Sequence, residues 1–272
     1  MRIAVPGAEL SCSVLGQGPT CLVLSSLGNE FYRRQFLPPI PDRLKLVFVD
    51  LRGTGESSGE CSDLDFDRLA EDLEAVRRGI GAERVAVLGH SILGLLAIEA
   101  GRRLTSISHI IAVGTPPSGD MAALSVKANA FFAEDASPER KARLAENFAR
   151  LGPAPTLREG LLAQTPMRFF DWSFDAAPLF EGAVASEKLM SHLFGKLAPG
   201  WDVRTTAAQR RAPLFLAHGR YDYAVPSTLW EGIAEALPRT TRHLFEKSGH
   251  QPFFEEPEAF AEAVLGWMAQ EG

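Results

Sequence analysis

A chain of 272 residues, 46% hydrophobic and 23% charged, is long enough to bury a large core and has the composition of a globular protein, not of a disordered or fibrous one. Its formal net charge of -6 offers no basic face to nucleic acid and opposes adsorption to anionic membranes. No basic leader with an apolar core opens the chain and no run approaches bilayer length, so a cytoplasmic location is expected; Cys12, Cys21 and Cys61, an odd number without metal-ligand spacing, indicate neither a disulfide framework nor a zinc site.

In chain order, Ile3-Ala4-Val5 and Leu10 to Leu15 predict an opening hairpin, and apolar runs near 21–25, 45–50, 84–89, 108–114, 213–218 and 240–245 predict further strands. Helical patterns lie between them, notably Asp65 to Arg78, Ile92 to Arg103, Ser227 to Ala236 and Glu258 to Ala269. The alternation predicts an α/β fold, a mostly parallel eight-stranded sheet with helices on both faces. It breaks between 117 and 210, where only helix-like segments such as Pro138 to Leu151 and Glu187 to Phe194 occur. The expected organisation is therefore a core domain of residues 1–116 and 211–272, interrupted by a helical cap over 117–210. Phe131, Phe132, Phe148, Phe169, Phe170, Trp172, Phe174, Phe180, Phe194 and Trp201 fall in the cap. Most are expected to form its own core, and a few to face the site and favour apolar substrates.

The strand Val85 to Leu88 runs through Gly89-His90-Ser91 into a helix pattern, a turn sharp enough to strain its central residue and to project a serine hydroxyl beyond the sheet. The match to G-x-S-x-G is incomplete, since Leu93 stands where the second glycine belongs and Gly94 comes one position late. A serine nucleophile needs a base, and the base a third group to fix its tautomer. Asp222 follows the strand Leu214 to Ala217, and His250 follows Arg242 to Phe245; each sits in a turn at a strand end. Ser91, Asp222 and His250 are thus the candidate catalytic residues, meeting at one sheet edge if the strands are parallel. Of the remaining histidines, His109 and His243 lie in strand patterns, His192 in the insertion, and His90 and His218 beside the candidate residues as structural neighbours. The loop Ser25-Ser26-Leu27-Gly28-Asn29 after Cys21 to Leu24 is positioned to supply one oxyanion donor, the backbone N–H of Leu27, with Ile92 N–H as the second. Gly53-Thr54-Gly55 opens no helix and is followed by an acidic loop, so it reads as a structural turn and not as a nucleotide fingerprint.

Asp50-Leu51-Arg52-Gly53-Thr54-Gly55-Glu56-Ser57, Gly89-His90-Ser91, Asp222 and Gly249-His250 together resemble the α/β-hydrolase superfamily over essentially the whole chain. Gly219 to Tyr223, Phe245 to His250 and Phe174 to Leu179 are similar to its proline-iminopeptidase-like branch, although the His-Gly-Gly-Pro-Gly oxyanion loop and the tryptophan after the nucleophile are absent. The resemblance implies a hydrolase without metal or organic cofactor. A serine at the nucleophile position argues against epoxide hydrolases and dehalogenases, which use aspartate there. The expected activity is cleavage of a carboxylic ester, lactone or amide of a small, largely apolar molecule through an acyl-enzyme, with no nucleic acid or membrane partner. An aminopeptidase would instead need cap carboxylates for a free ammonium, with Glu134, Asp135, Asp171, Asp175, Glu181 and Glu187 available. A slow or non-catalytic small-molecule receptor of the same fold is the alternative of another class.

Overall fold

The apolar runs become one eight-stranded sheet: β1 Arg2–Val5, β2 Ala8–Leu15, β3 Thr20–Ser25, β4 Lys45–Asp50, β5 Val85–His90, β6 Ile107–Val113, β7 Leu214–Gly219 and β8 Thr240–Phe245. The structure is a computed structural model that describes residues 1–184, 186–206 and 209–271; positions 185, 207 and 208 of the expected cap, and residue 272, lie outside them. The strand order is β1-β2-β4-β3-β5-β6-β7-β8. The pairs β1–β2 and β2–β4 are antiparallel, and all others are parallel.

Parallel strands covered on both faces need apolar side chains at every position, which is why these runs do not alternate with polar residues. The pleat divides them between two core layers. Leu22, Leu24, Val47, Val49, Val87 and Leu216 face one layer, where Leu69, Leu73 and Val76 of the helix Phe66–Gly79 and Leu96 and Ile98 of the helix Leu93–Arg103 cover them. Val23, Phe48, Leu88, Val113 and Phe215 face the other, under Phe260, Val264 and Trp267 of the helix Pro257–Glu271. The register sets Ser25 beside Asp50, His90 beside Val113, Val113 beside Ala217, and Gly219 beside Phe245. The carboxyl ends of β3, β5, β6, β7 and β8 are therefore nearly level, and the loops leaving them open on one edge.

The turn Asp50 to Ser57 is held by its own side chains. Arg52, buried, makes two 2.6 Å hydrogen bonds to the Asp72 carboxylate, and Ser57 Oγ donates to Asp50 O at 2.7 Å while accepting from Ser11 N at 2.8 Å. A Cβ on Gly55 would stand 2.3 Å from Asp50 Oδ2, and the residue has φ 53°. These contacts account for the motif as scaffold.

Two expectations are corrected. Ser227 to Ala236 is not an α-helix but two 3₁₀ turns, Ser227–Trp230 and Ala234–Ala236, because Gly232 between them takes φ 72°, outside helical backbone. The aromatic residues between β6 and β7 form a core of their own only in part: Phe131 and Phe132 cluster with Ala136, Leu144, Met167, Tyr221 and Tyr223, and the others divide differently. Phe169 and Phe180 join the layer that holds Phe48 and Phe253, Trp201 joins the layer that holds Leu96, and Phe148, Phe170 and Phe194 stay at least 40% exposed. The α-helices of this stretch among the described residues are Met121–Asp135, Pro138–Ala149, Leu157–Ala163, Thr165–Arg168, Glu187–His192 and Val203–Thr206; side chains of Asp120, Ser137, Thr156 and Ser186 cap four of them, and the last four helices have only four to seven residues. Helices this short depend on packing against the sheet domain for their stability.

Candidate active site

Ser91 leaves β5 with φ 57°. Left-handed backbone at a residue with a side chain costs about 1–3 kcal/mol and persists only where its surroundings determine it. Here Ser91 N donates to Val113 O at 2.8 Å, tying the turn to the end of β6, and Gly94 N donates to Ser91 O at 3.0 Å. A Cβ on Gly89 would lie 2.2 Å from Leu93 O, so glycine is required where the chain doubles back. The displaced second glycine has a reason as well. Leu93 is buried in the core, whereas a Cβ on Gly94 would meet Thr115 Oγ1 at 1.8 Å.

Asp222 and His250 meet. His250 Nδ1 donates to Asp222 Oδ2 at 2.7 Å, both side chains being fully buried. Asp222 Oδ1 accepts from Ala224 N at 3.0 Å and Val225 N at 2.8 Å, which aims the other oxygen at the imidazole. With its proton on Nδ1, the ring presents the Nε2 lone pair, and Nε2 bonds to no protein group, Ser91 Oγ included. Catalytic hydrogen bonds of this kind commonly tighten only in the complex with substrate. Ser91 and His250 line one cavity of about 260 Å³, together with Leu27 and Ile92. Neither Leu27 N nor Ile92 N donates to a protein acceptor among the described residues, so both amides are free for an oxyanion. The Leu27 carbonyl in turn accepts from Val184 N at 2.9 Å.

Of the two neighbouring histidines, both buried, His90 is hydrogen-bonded to the base loop and His218 is not. His90 Nε2 donates to His250 O at 3.0 Å and its Nδ1 accepts from Tyr32 Oη at 3.2 Å. Burial, reinforced by His250 and Arg168, holds His90 well below its ordinary value, and burial brings His218 down to about 4. Glu255 staples the base loop: Oε1 accepts from Gly249 N at 2.9 Å and Oε2 from Phe170 N at 2.7 Å. Burial outweighs these donors and pushes its carboxyl up to about 8. Gly114, φ 53°, backs the pair; a Cβ there would stand 2.7 Å from His250 Nδ1 and 3.2 Å from Asp222 Oδ2.

Sequence reasoning did not single out Tyr32, Gly114, Gln164, Arg168 or Glu255. Arg168 carries no local signal, since one arginine in a helical stretch resembles any solvated one; its carbonyl accepts from His250 N at 2.6 Å. Ser91, Ile92, Arg168 and Phe194 also line a second, adjoining cavity of about 150 Å³ walled by Pro116, Met121, Leu124 and Val225. Phe169 and Phe180 join Phe194 in the first cavity, giving the apolar wall expected of the insertion. Glu134, Asp135, Asp171, Asp175, Glu181 and Glu187 line neither cavity. Asp135 instead pairs with Arg220 at 2.6 Å and accepts from Tyr223 Oη at 2.7 Å. Among the described residues no three His, Cys, Asp or Glu side chains group as a metal ion would require, and no helix is long and apolar enough to cross a membrane.

Comparison with known proteins agrees with this geometry. Over 97% of its length the chain is 30% identical to the AB hydrolase superfamily protein YclE of Bacillus subtilis, covering 96% of that protein. Among solved structures it is similar to a thermophilic esterase from Thermogutta terrifontis, with a TM-score of 0.72, 22% identity and coverage of 100% and 98% of the two chains. It is likewise similar to a proline iminopeptidase from Mycobacterium smegmatis, with a TM-score of 0.68, 20% identity and the same coverages. Residues 22–257 match the model of the alpha/beta hydrolase fold, and with the strand order and the turn at Ser91 already described, the chain belongs to the α/β-hydrolase family.

Proposed function

We propose that the protein is a serine hydrolase that cleaves a carboxylic ester, or a lactone or amide, of a small and largely apolar substrate. The observation that carries this reading is the convergence on one sheet edge of Ser91 at φ 57° and the His250–Asp222 pair bonded at 2.7 Å, with Ser91 and His250 on the wall of one cavity. Ser91 Oγ attacks the carbonyl carbon as His250 Nε2 takes its proton, and Asp222 holds the imidazole in the competent tautomer and stabilises the imidazolium. The N–H groups of Leu27 and Ile92 receive the oxyanion; one such donor is worth about 3 kcal/mol in the transition state. The imidazolium returns its proton to the leaving alcohol or amine. Water then attacks the acyl-enzyme, giving a proton to His250, and the acid departs as Ser91 recovers that proton. The helices over 117–210 act as the cap of a core domain made from 1–116 and 211–272, and their phenylalanines exclude water from the oxyanion contacts.

An aminopeptidase of the resembled branch has less support. Its substrate's ammonium needs a carboxylate, and the titratable side chains lining the two cavities include Arg168 but no Asp or Glu. Ser91→Ala is expected to abolish turnover of short 4-nitrophenyl esters; retained turnover overturns the assignment. Proline naphthylamide is expected to be a poor substrate beside those esters, and a strong preference for its free amine over the N-blocked form restores the aminopeptidase reading.

A further inference from the structure

Arg168, half-buried, stands apart from the buried arginines. Arg52 is neutralised by Asp72, Arg140 donates to the carbonyls of Pro166, Phe169 and Phe170, and Arg210 donates to those of Ala212 and Pro238. Arg168 Nε and Nη2 share one neutral acceptor, Gln164 Oε1, at 3.1 and 2.9 Å, and the residue forms no ion pair among the described residues. It lines both cavities that meet at Ser91. Asp222 is the carboxylate whose field reaches it, but that group is committed to His250 and two amides. Burial pushes the guanidinium below its ordinary value, as a cation without a counter-charge requires. An unpaired charge held in an apolar wall is costly, and an anion delivered by a ligand removes that cost.

The placement is also fixed. His250 N donates to Arg168 O at 2.6 Å, and a Cβ on Gly249 would lie 2.2 Å from that oxygen, so the Arg168 backbone is pressed against the loop that carries the base. Gln164, one helical turn earlier, holds the guanidinium plane through both Nε and Nη2 and leaves Nη1 without a protein acceptor.

We infer that Arg168 is a specificity-determining residue that binds a carboxylate carried by the substrate itself, so that the natural ester is anionic, a small acid whose second carboxylate lies a few bonds from the scissile carbonyl. A planar guanidinium with free N–H groups suits that partner, and the phenylalanines and aliphatic side chains around it suit the carbon chain between. This inference rests on the serine-hydrolase reading and narrows its substrate class.

The test compares 4-nitrophenyl hydrogen glutarate with 4-nitrophenyl valerate, acyl chains of equal length that differ in a terminal carboxylate. The wild type is expected to show the higher kcat/KM for the glutarate. In Arg168→Met the ratio of the two kcat/KM values falls about ten- to a hundred-fold, carried by KM, and Arg168→Lys recovers part of it. A wild type that prefers valerate, or a ratio unmoved in Arg168→Met, overturns the inference. If neither ester is turned over, the hydrolase reading fails by itself, and calorimetric titration with monomethyl glutarate still decides the anchor. Binding to Ser91→Ala that is lost in Ser91→Ala/Arg168→Met sustains it; equal binding, or none to either protein, refutes it.

Discussion

The sheet edge and the helical insertion solve different problems with different parts of the chain. At the edge, strand register and backbone hydrogen bonds do the positioning. Ser91 is tied to β6 through Val113 O, Asp222 is fixed by the amides of Ala224 and Val225, and the bare Cα of Gly114 makes room for the His250–Asp222 pair. In the insertion, side chains line the cavity and on the proposed function do the selecting: Phe169, Phe180 and Phe194 supply apolar surface and Arg168 a cation. The difference teaches that, on the proposed function, reactivity belongs to a buried frame fixed by backbone, and substrate choice to side chains of an insertion that is itself bonded to that frame through Arg168 O and Phe170 N.

Substitutions at the edge should therefore lower the chemical rate for every substrate. Asp222→Asn, nearly isosteric, removes the charge that stabilises the imidazolium and lets the ring take the wrong tautomer; kcat is expected to fall about ten-thousand-fold on all esters alike. A loss confined to one ester class breaks the comparison. Gly114→Ala brings a methyl group within 2.7 Å of His250 Nδ1 and displaces the ring without touching either carboxylate or imidazole chemically. A displacement on that scale costs about a hundred-fold in kcat, measured beside a thermal melt that shows the variant folded. Unchanged kcat means that the pair is not held against Gly114 as described.

The smallest effect concerns the junction between the two regions. Glu255 joins Gly249 of the base loop to Phe170 of the insertion, and its carboxyl stays protonated in the folded protein up to about 8, against an ordinary value of 4.5. The folded state keeps a proton that the unfolded chain releases, so this stabilisation is fully present below about pH 4.5 and is lost as pH rises through about 8. Glu255→Gln mimics the protonated form. The Tm of the wild type is expected to decline against that of the variant between these pH values, and parallel curves contradict the assignment.

The same contrast explains what was legible in the sequence. Ser91 and Asp222 follow uninterrupted apolar runs and His250 follows the mixed edge strand Thr240–Phe245, and parallel strands with level ends must bring such loops together. The inner parallel strands were readable for the same reason, since burial on both faces writes itself into consecutive residues, whereas the hairpin and the helices were readable from their periodicity. What escaped depends on meetings between distant segments. Nothing near Arg168 in sequence reveals that His250 N will bond to its carbonyl, and nothing near Phe169 or Phe180 says that they will join the sheet layer that holds Phe48 and Phe253. The 3₁₀ breaks around Gly232 were missed because an amphipathic pattern persists across a glycine whose φ it does not determine.

Ser91 as nucleophile is the claim on which the rest stands, and a fluorophosphonate probe followed by peptide mass spectrometry tests it most directly. The account predicts one adduct, on Ser91, formed rapidly in the wild type and slowed at least about a thousand-fold in His250→Ala. An adduct on another residue, or esterase turnover by a protein whose Ser91 stays unmodified, would contradict it.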